Sequence, residues 1–418
     1  MSEEHARIPK SLSAFQGSFP MERRRVKLNT LNGTSHSAGG NMRLRFPDRA
    51  LIDMSTWSVN FLSSVAAGAS STGGNVPVSY GLMKSLQFIV AGVNIGSQQN
   101  FQNQLAHAVN LASRSSDYDK SNMVAKGYNN HALVGATYDT NTPTTCNWFP
   151  YTLASCGVLD TAVFGGLEVD IRLEGNDCLN SIGAADVTYS ISDVVSYVDI
   201  LLPASESYAK TIASRLGSGG VIKKSVPTSV GFNQVQNGSN SVNCSSNSLD
   251  AVMVGVKTTA WGTQAVQGAH LYNNFLSYRL ANTTANQLMH LQLANGQQYP
   301  AYGNGENSFE YADMTRNWAG KTSAFNTNKL FFDQTAADTD IRTQNMYLSR
   351  NFVWFAQVGG EGSGVDNYGL HSGLDTTGGS NIIRINSTNL AAADELMVAC
   401  LCSSILEGRA GGLVAFVQ

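Results

Sequence analysis

The chain is 418 residues long, room for two or three domains, and only 14% of it is charged, against about 25% in an average globular protein. Its net charge of −3 divides unevenly: residues 1–49 carry nine Lys/Arg against four Asp/Glu (+5), and the rest carry 18 against 26 (−8), so the body is not the basic surface that phosphate-binding proteins present. No run approaches the roughly 20 apolar residues of a bilayer-spanning helix, and MSEEHARIPK reads as a start without the apolar stretch of a secretory signal.

In chain order, residues 1–40 read as an N-terminal arm that mixes Gly, Ser, Pro and charge without a clear period. Arg23, Arg24, Arg25 and Lys27, beside Val26 and Leu28, are its concentration of positive charge and the candidate contact with a membrane or a genome. A first β-domain is expected over 41–202. Strand patterns run through 42–47, 55–65 (with Trp57, Val59 and Phe61 on one face), 84–92, 165–173 and 187–201, where an out-of-pattern Asp193 marks a bulge or bend. Residues 100–113 instead space Leu105, Val109 and Ala112 for a short helix, and a polar stretch follows over 114–147. Residues 203–217 predict a linker helix, because Tyr208, Ile212 and Leu216 recur every fourth residue between Pro203 and Gly217. A second β-domain over 218–418 has strand patterns at 248–259, 287–296, 351–358, 381–385, 395–406 and 412–417, a short helix near 306–316 and a polar stretch over 317–350.

The two halves echo one another. Leu86-Gln87 returns as Leu291-Gln292, 205 positions later; Phe101 returns as Phe309, 208 later; Gly157, opening GVLDT, returns as Gly373, opening GLDTT, 216 later. Each match is short, but their common order and near-common offset point to two copies of one domain. Each copy holds about eight short strands without helical crossovers, which implies antiparallel sheets packed face to face in a jelly roll.

The residue types of a catalytic or ligand site are scattered. There is no GxxxxGK[ST] or GxSxG string, and the glycines of 360–364 lack a strand–turn–helix setting. The seven histidines (His5, His36, His107, His131, His270, His290, His371) form no cluster with Ser, Cys or Asp. Asp117/Asp119 and Asp338/Asp340 lie in polar stretches without calcium-loop spacing. Cys146, Cys156, Cys178, Cys244, Cys400 and Cys402 make no CxxC pair and read as buried, reduced thiols of a protein made in the cytosol, with Cys400 and Cys402 on one face of a strand. No enzyme activity, cofactor or metal is expected.

Four segments carry a resemblance: SLQFIVAGVNIGSQQNFQNQL (85–105), LMHLQLANGQQYPAYGNGENSFEY (288–311), VTYSISDVVSYVDILLPASESYAKTIASRL (187–216) and LHSGLDTTGGSNIIRI (370–385). They resemble the double jelly-roll major capsid proteins of tailless icosahedral DNA viruses, over about residues 40–418. The resemblance implies an all-β fold of two tandem eight-stranded jelly rolls, antiparallel β-sandwiches joined by the short helical linker, behind the N-terminal arm. It implies a structural protein of the virion: a homotrimer whose six similar lobes form a pseudo-hexameric capsomer of an icosahedral shell. Its partners would be further copies of itself, penton and minor capsid proteins, and a membrane or genome reached through the arm. Residues 114–147 and 317–350 would form the outer crown and trimer contacts, and deleting 1–40 would leave both rolls folded but impair the shell. The other reading is a carbohydrate- or receptor-binding tandem β-sandwich of fibre or adhesin type, with Tyr128, Trp148, Tyr299 and Tyr302 as sugar-stacking platforms.

Overall fold

The computed structural model describes residues 21–95, 100–113, 138, 140–204, 206–235, 239–262, 264–266, 275–280, 288–300, 308–319, 351–359, 373–378, 381–388, 390, 394–409 and 412–417. The first roll is built from β1 (Met21–Asn29), β2 (Asn41–Arg45), β3 (Leu51–Ala66), β4 (Met83–Val90), β5 (Val93–Ile95), helix α1 (Gln102–Ser113), β6 (Thr142–Cys146), helix α2 (Thr161–Phe164), β7 (Leu167–Leu173) and β8 (Thr188–Pro203). Helix α3 (Ser207–Gly217) leads into the second roll: β9 (Ile222–Val235), β10 (Ser239–Asn243), β11 (Leu249–Thr258), β12 (Leu288–Gln292), β13 (Gln298–Tyr299), helix α4 (Ser308–Ala319), β14 (Val353–Gln357), β15 (Ile382–Thr388) and β16 (Asp394–Arg409). A last strand, Gly412–Val417, turns back antiparallel on β16.

Strand order makes the duplication explicit. Roll one has sheets β1-β8-β3-β6 and β2-β7-β4-β5; roll two has β9-β16-β11-β14 and β10-β15-β12-β13. Adding eight to each strand number converts one roll into the other. Strands far apart in sequence pair, and neighbours in sequence lie in opposite sheets except in the β4–β5 and β12–β13 hairpins, which is the jelly-roll arrangement of two facing sheets. Alternation drives it: in β7, Leu167, Val169, Ile171 and Leu173 are fully buried while Glu168, Asp170 and Arg172 point outward. The core of roll one centres on Trp57, ringed by Phe46, Phe88 and Phe149, with its indole N–H satisfied by Ser196 Oγ at 2.8 Å. Asp193 sits at φ +51° where the β8–β3 register shifts, so it does mark a bulge.

The echoed residues are structural equivalents. Leu86 pairs with Ile171 in roll one as Leu291 pairs with Ile385 in roll two. Helices α1 and α4 are both 12 residues long and start 206 positions apart (102 and 308). The Leu-Asp-Thr shared by GVLDT and GLDTT builds the same latch twice. The buried Thr161 hydroxyl lies 3.0 Å from the carbonyl oxygens of Pro47 and Ala50 and accepts from the Ala50 N–H at 2.8 Å. The buried Thr376 hydroxyl lies 2.8 and 3.2 Å from the carbonyls of Cys244 and Ser246 and accepts from the Ser246 N–H at 3.0 Å. Each latch fixes the corner by which the chain crosses from one sheet to the other, β2 to β3 and β10 to β11. Asp160 and Asp375 also match, each accepting a backbone N–H two residues on at 2.8 Å.

The structure departs from the sequence reading in several places, among them the expected polar stretch 114–147, whose residues 142–146 are strand β6 paired with β3. Residues 21–29 are no arm but strand β1, paired with β8 over nine residues and delivering buried Leu28 to the core. Deleting 1–40 would therefore remove an edge strand of roll one, and the expectation that both rolls survive it is corrected. β9 had no expected counterpart: Pro227 and Gly231 hide a 14-residue strand, tolerated because β9 is the edge of its sheet. Pro203 ends β8 rather than starting the linker helix, which begins at Ser207. Of the two polar stretches, the described residues include only Tyr138 and 140–147 of the first and 317–319, the end of α4, of the second; the crown and trimer contacts expected there lie otherwise outside the described residues.

Candidate assembly surfaces

The two rolls are joined along one side by α1. Although it belongs to roll one, Leu105, Ala108, Val109, Leu111 and Ala112 are part of the hydrophobic core of roll two. Tyr278 locks the contact: its hydroxyl donates to the Gln104 carbonyl at 2.8 Å, its ring stacks on His107 at 6.4 Å, and it lies against Gly255, where a Cβ would come within 2.6 Å of the ring. The other side of His107 shares a 3.0 Å hydrogen bond with the Tyr80 hydroxyl. Tyr151 of roll one stacks on Trp318 of roll two at 6.3 Å, and its carbonyl accepts from Ser229. Further along, the buried Gln264 amide clamps Val187 and Asn176 of roll one, and Asn180–Ser181 pair in parallel with Ala265–Val266. Near the same seam the buried Lys257 ammonium donates to the Phe275 carbonyl and lies 4.4 Å from that ring's centre. Burial pulls its pKa down to about 7, against the opposing charges of Glu174 and Glu395.

At the opposite end, roll two closes over α2. Gly408 is so near Val163 that a Cβ would sit at 2.7 Å, and Leu406, Val226 and Phe416 pack into the core of roll one. The linker is pinned there as well, the Tyr208 hydroxyl donating to Asp160 Oδ2 at 2.8 Å. The rolls thus share cores at two places and form one body.

Equivalent sheets of the two rolls present different outer faces. Hydrogen-bond register aligns three rows across β1, β8 and β3, namely Arg25-Asp199-Asp53, Lys27-Tyr197-Ser58 and Asn29-Val195-Asn60. Their counterparts across β9, β16 and β11 are Ser229-Leu401-Ala251, Gly231-Ala399-Met253 and Asn233-Met397-Gly255. In roll two β11 is buried at every position, and so is β16 except at a few residues, because α1, Tyr278 and Tyr151 cover that face. In roll one the same face is charged and less covered, exposed along β1 and half-buried along β8, with Asp53 and Ser58 of β3 buried.

Three of the four basic residues of the expected arm, Arg23, Arg25 and Lys27, lie on that face. Arg23 pairs with Asp53 at 2.9 Å and Asp199 at 3.1 Å; the Asp199 hydrogen bond and then the Asp53 charge hold its pKa above the ordinary value. Arg25 lies over the Tyr197 ring at 4.9 Å. Lys27 shares this face and is exposed, while Arg24 is on the opposite face of the strand, exposed at its end beyond Val26 and Leu28. The register of β1, which no local motif announces, brings them to this sheet.

The remaining candidates are structural in their surroundings. Trp148 packs between the two cores and donates its indole N–H to the Ala106 carbonyl; Tyr299 is half-buried in β13. Neither is a free platform for a sugar ring, and Tyr128 and Tyr302 lie outside the described residues. His290 is half-buried against Asn386, and His36 is near the Gly33 carbonyl. His5, His131, His270, His371, the two aspartate pairs and glycines 360–364 lie outside the described residues. All six thiols are buried and unlinked, Cys244 and Cys402 being 3.9 Å apart; desolvation raises Cys146 to about 12 and Cys156 to about 11. Among the described residues no group of three or more His, Cys, Asp and Glu is arranged to hold a metal, and no helix is long and apolar enough to cross a membrane.

Solved structures with the same architecture span both rolls. PBCV-1 VP54, whose crystal structure has been fitted into a reconstruction of the virophage Sputnik, matches with a TM-score of 0.57 at 10% identity, covering 96% of this chain and 98% of its own. It is the fold of viral major capsid proteins. A quasi-atomic model of the PBCV-1 virus capsid matches at 0.54 with 11% identity over 96% of this chain and 98% of that one. The Faustovirus major capsid protein matches at 0.52 with 9% identity over 94% and 92%. No protein-family model and no curated protein matches the sequence. The all-β double jelly roll is therefore established through the structure, with little sequence left in common.

Proposed function

We propose that the chain is the structural subunit of a viral capsid, a homotrimer whose six rolls give a pseudo-hexameric capsomer that tiles an icosahedral shell. The observation that carries this reading is the intrachain arrangement itself. Two rolls of one topology are docked side by side by a helix of the first lying on a sheet of the second. Three such pairs closed into a ring present six similar lobes, and a contact between unlike surfaces closes rings when the rotation permits. The charge-poor body suits a surface mostly buried against other copies, and stable subunit contacts bury on the order of 1,000 Å² or more. The chain's place would be the virion, its principal partner another copy of itself, and its role mechanical rather than catalytic. Other capsid proteins, and an internal membrane or the genome contacted through the N-terminal region, would be its further partners.

The test is the mass of the purified full chain in solution, followed by images of what it assembles into. Trimers or closed shells with six-lobed units are expected. A stable monomer at tens of micromolar, with no larger species on concentration, would overturn the proposal.

A further inference from the structure

Inside the chain, one helix meets one sheet face. On α1, Gln104, His107, Ala108 and Leu111 recur at the spacing of a single helix face, and all four lie toward roll two: through the Tyr278 hydrogen bond, the Tyr278 ring stack, and membership of the second core. Across Tyr278 they reach Met397 and Gly255, the third row of the covered sheet.

Helix α4 has the same length and the same place in its roll, between the fifth and sixth strands. At the offset of 206 set by the two helix starts, its matching residues are Glu310, Asp313, Met314 and Asn317. Where α1 is buried here, α4 is open: Asp313 and Asn317 are exposed and Glu310 and Met314 half-buried, while Tyr311, Thr315 and Trp318 fill the roll-two core. Roll one, in turn, leaves the equivalent sheet face less covered: Arg23, Arg25, Lys27 and Asn29 are exposed and Asp199, Tyr197 and Val195 half-buried, while Asp53 and Ser58 are buried. Among the described residues the chain therefore carries one filled contact, in which α1 lies against α4 and β14 and reaches the middle of the sheet through Tyr278, and more exposed counterparts of its two sides on opposite rolls.

We propose that the open face of α4 docks on the outer face of β1, β8 and β3 in a second copy of this chain, with Glu310 and Asp313 opposite Arg25 and Lys27 and Met314 toward Tyr197 and Val195. The inference rests on the capsid reading and names the surfaces that would join its subunits. Charge favours the pairing. The sheet face has three cations (Arg23, Arg25, Lys27) against two anions (Asp53, Asp199), and the helix face has two anions (Glu310, Asp313) against Arg316. Such complementarity selects the partner surface and orientation more than it supplies raw affinity. Side chains that differ from α1 in this way suit a contact made after folding, between chains that must first be soluble alone.

The experiment is a charge exchange in the full chain, read as the concentration dependence of mass. Arg25→Glu with Lys27→Glu, and separately Glu310→Lys with Asp313→Lys, should each weaken self-association by roughly tenfold or more, and combining all four should restore most of it. A second reading does not depend on those side chains: Lys27→Cys with Asp313→Cys should cross-link between chains under mild oxidation, the six native thiols being buried. If the unaltered chain assembles but neither pair weakens it and no cross-link forms, this contact is wrong while the capsid reading stands. If the unaltered chain never assembles, both fall.

Discussion

The sheets β1-β8-β3-β6 and β9-β16-β11-β14 have one topology, yet their outer faces differ in chemistry. In one cross-strand row of roll one Arg25 is exposed, Asp199 half-buried and Asp53 buried, whereas Ser229-Leu401-Ala251 lies under roll one's own loop in roll two. Strand order and inward-pointing residues are kept, since both rolls need a core. Outward-pointing residues follow whatever covers them. The duplicated chain thus records which of its surfaces are filled internally and which are left for a partner.

The comparison can be broken at its foundations first. Removing residues 1–40 deletes β1, with Leu28 and the whole edge pairing to β8, and is expected to abolish cooperative unfolding of roll one; removing only 1–20 should leave the melting profile unchanged. Equal melting of the two truncations by circular dichroism would show that β1 is dispensable. Next is the seam. Tyr278→Ala leaves a cavity beside Gly255 and removes the hydrogen bond that ties the Gln104 carbonyl to roll two, and should cost about 3–5 kcal/mol in denaturant unfolding. A loss below about 1 kcal/mol would mean the rolls are held elsewhere.

Lys257 sharpens the seam further. Its folded-state pKa of about 7 lies below the free value of about 10.4, so between those values the unfolded chain binds the extra proton. Stability from this group therefore rises with pH above about 7; above about pH 8.5 the buried thiols, whose pKa values are raised, act in the opposite sense. Lys257→Met should raise stability at neutral pH by on the order of 1–3 kcal/mol and flatten the pH dependence between about pH 7 and 8.5. Unfolding curves with an unchanged slope in the variant would contradict the burial of this ammonium. The smallest effect is the most symmetric: Thr161→Val and Thr376→Val should each cost about 1–2 kcal/mol, by stranding the buried N–H of Ala50 or Ser246. A large loss at one threonine and none at the other would deny that the latches are equivalent.

Much of this was legible in the chain. Inward alternation identified most of the sixteen roll strands, and the repeated Leu-Asp-Thr marked the duplication; that its threonine satisfies a fixed backbone corner appears only in the structure. β1 and β9 were not legible, being edge strands in which Arg, Lys, Pro and Gly replace the hydrophobic pattern. The seam was not legible either. Leu105, Val109 and Ala112 announced an apolar helix face, but nothing local says that it belongs to the other roll's core. Likewise the run Arg23-Arg24-Arg25 looked like a basic arm, and only register shows Arg23 paired with Asp53 and Asp199 and Arg25 lying over the Tyr197 ring, across strands far away in sequence.

One measurement bears most directly on the central claim that this two-roll body is a tile completed by its own copies: the native mass of the intact chain across concentration, with images of the largest species. The account predicts three-chain units of six-lobed outline that grow into closed shells. A particle that remains one chain at every concentration, or assembles without six-lobed units, would contradict it.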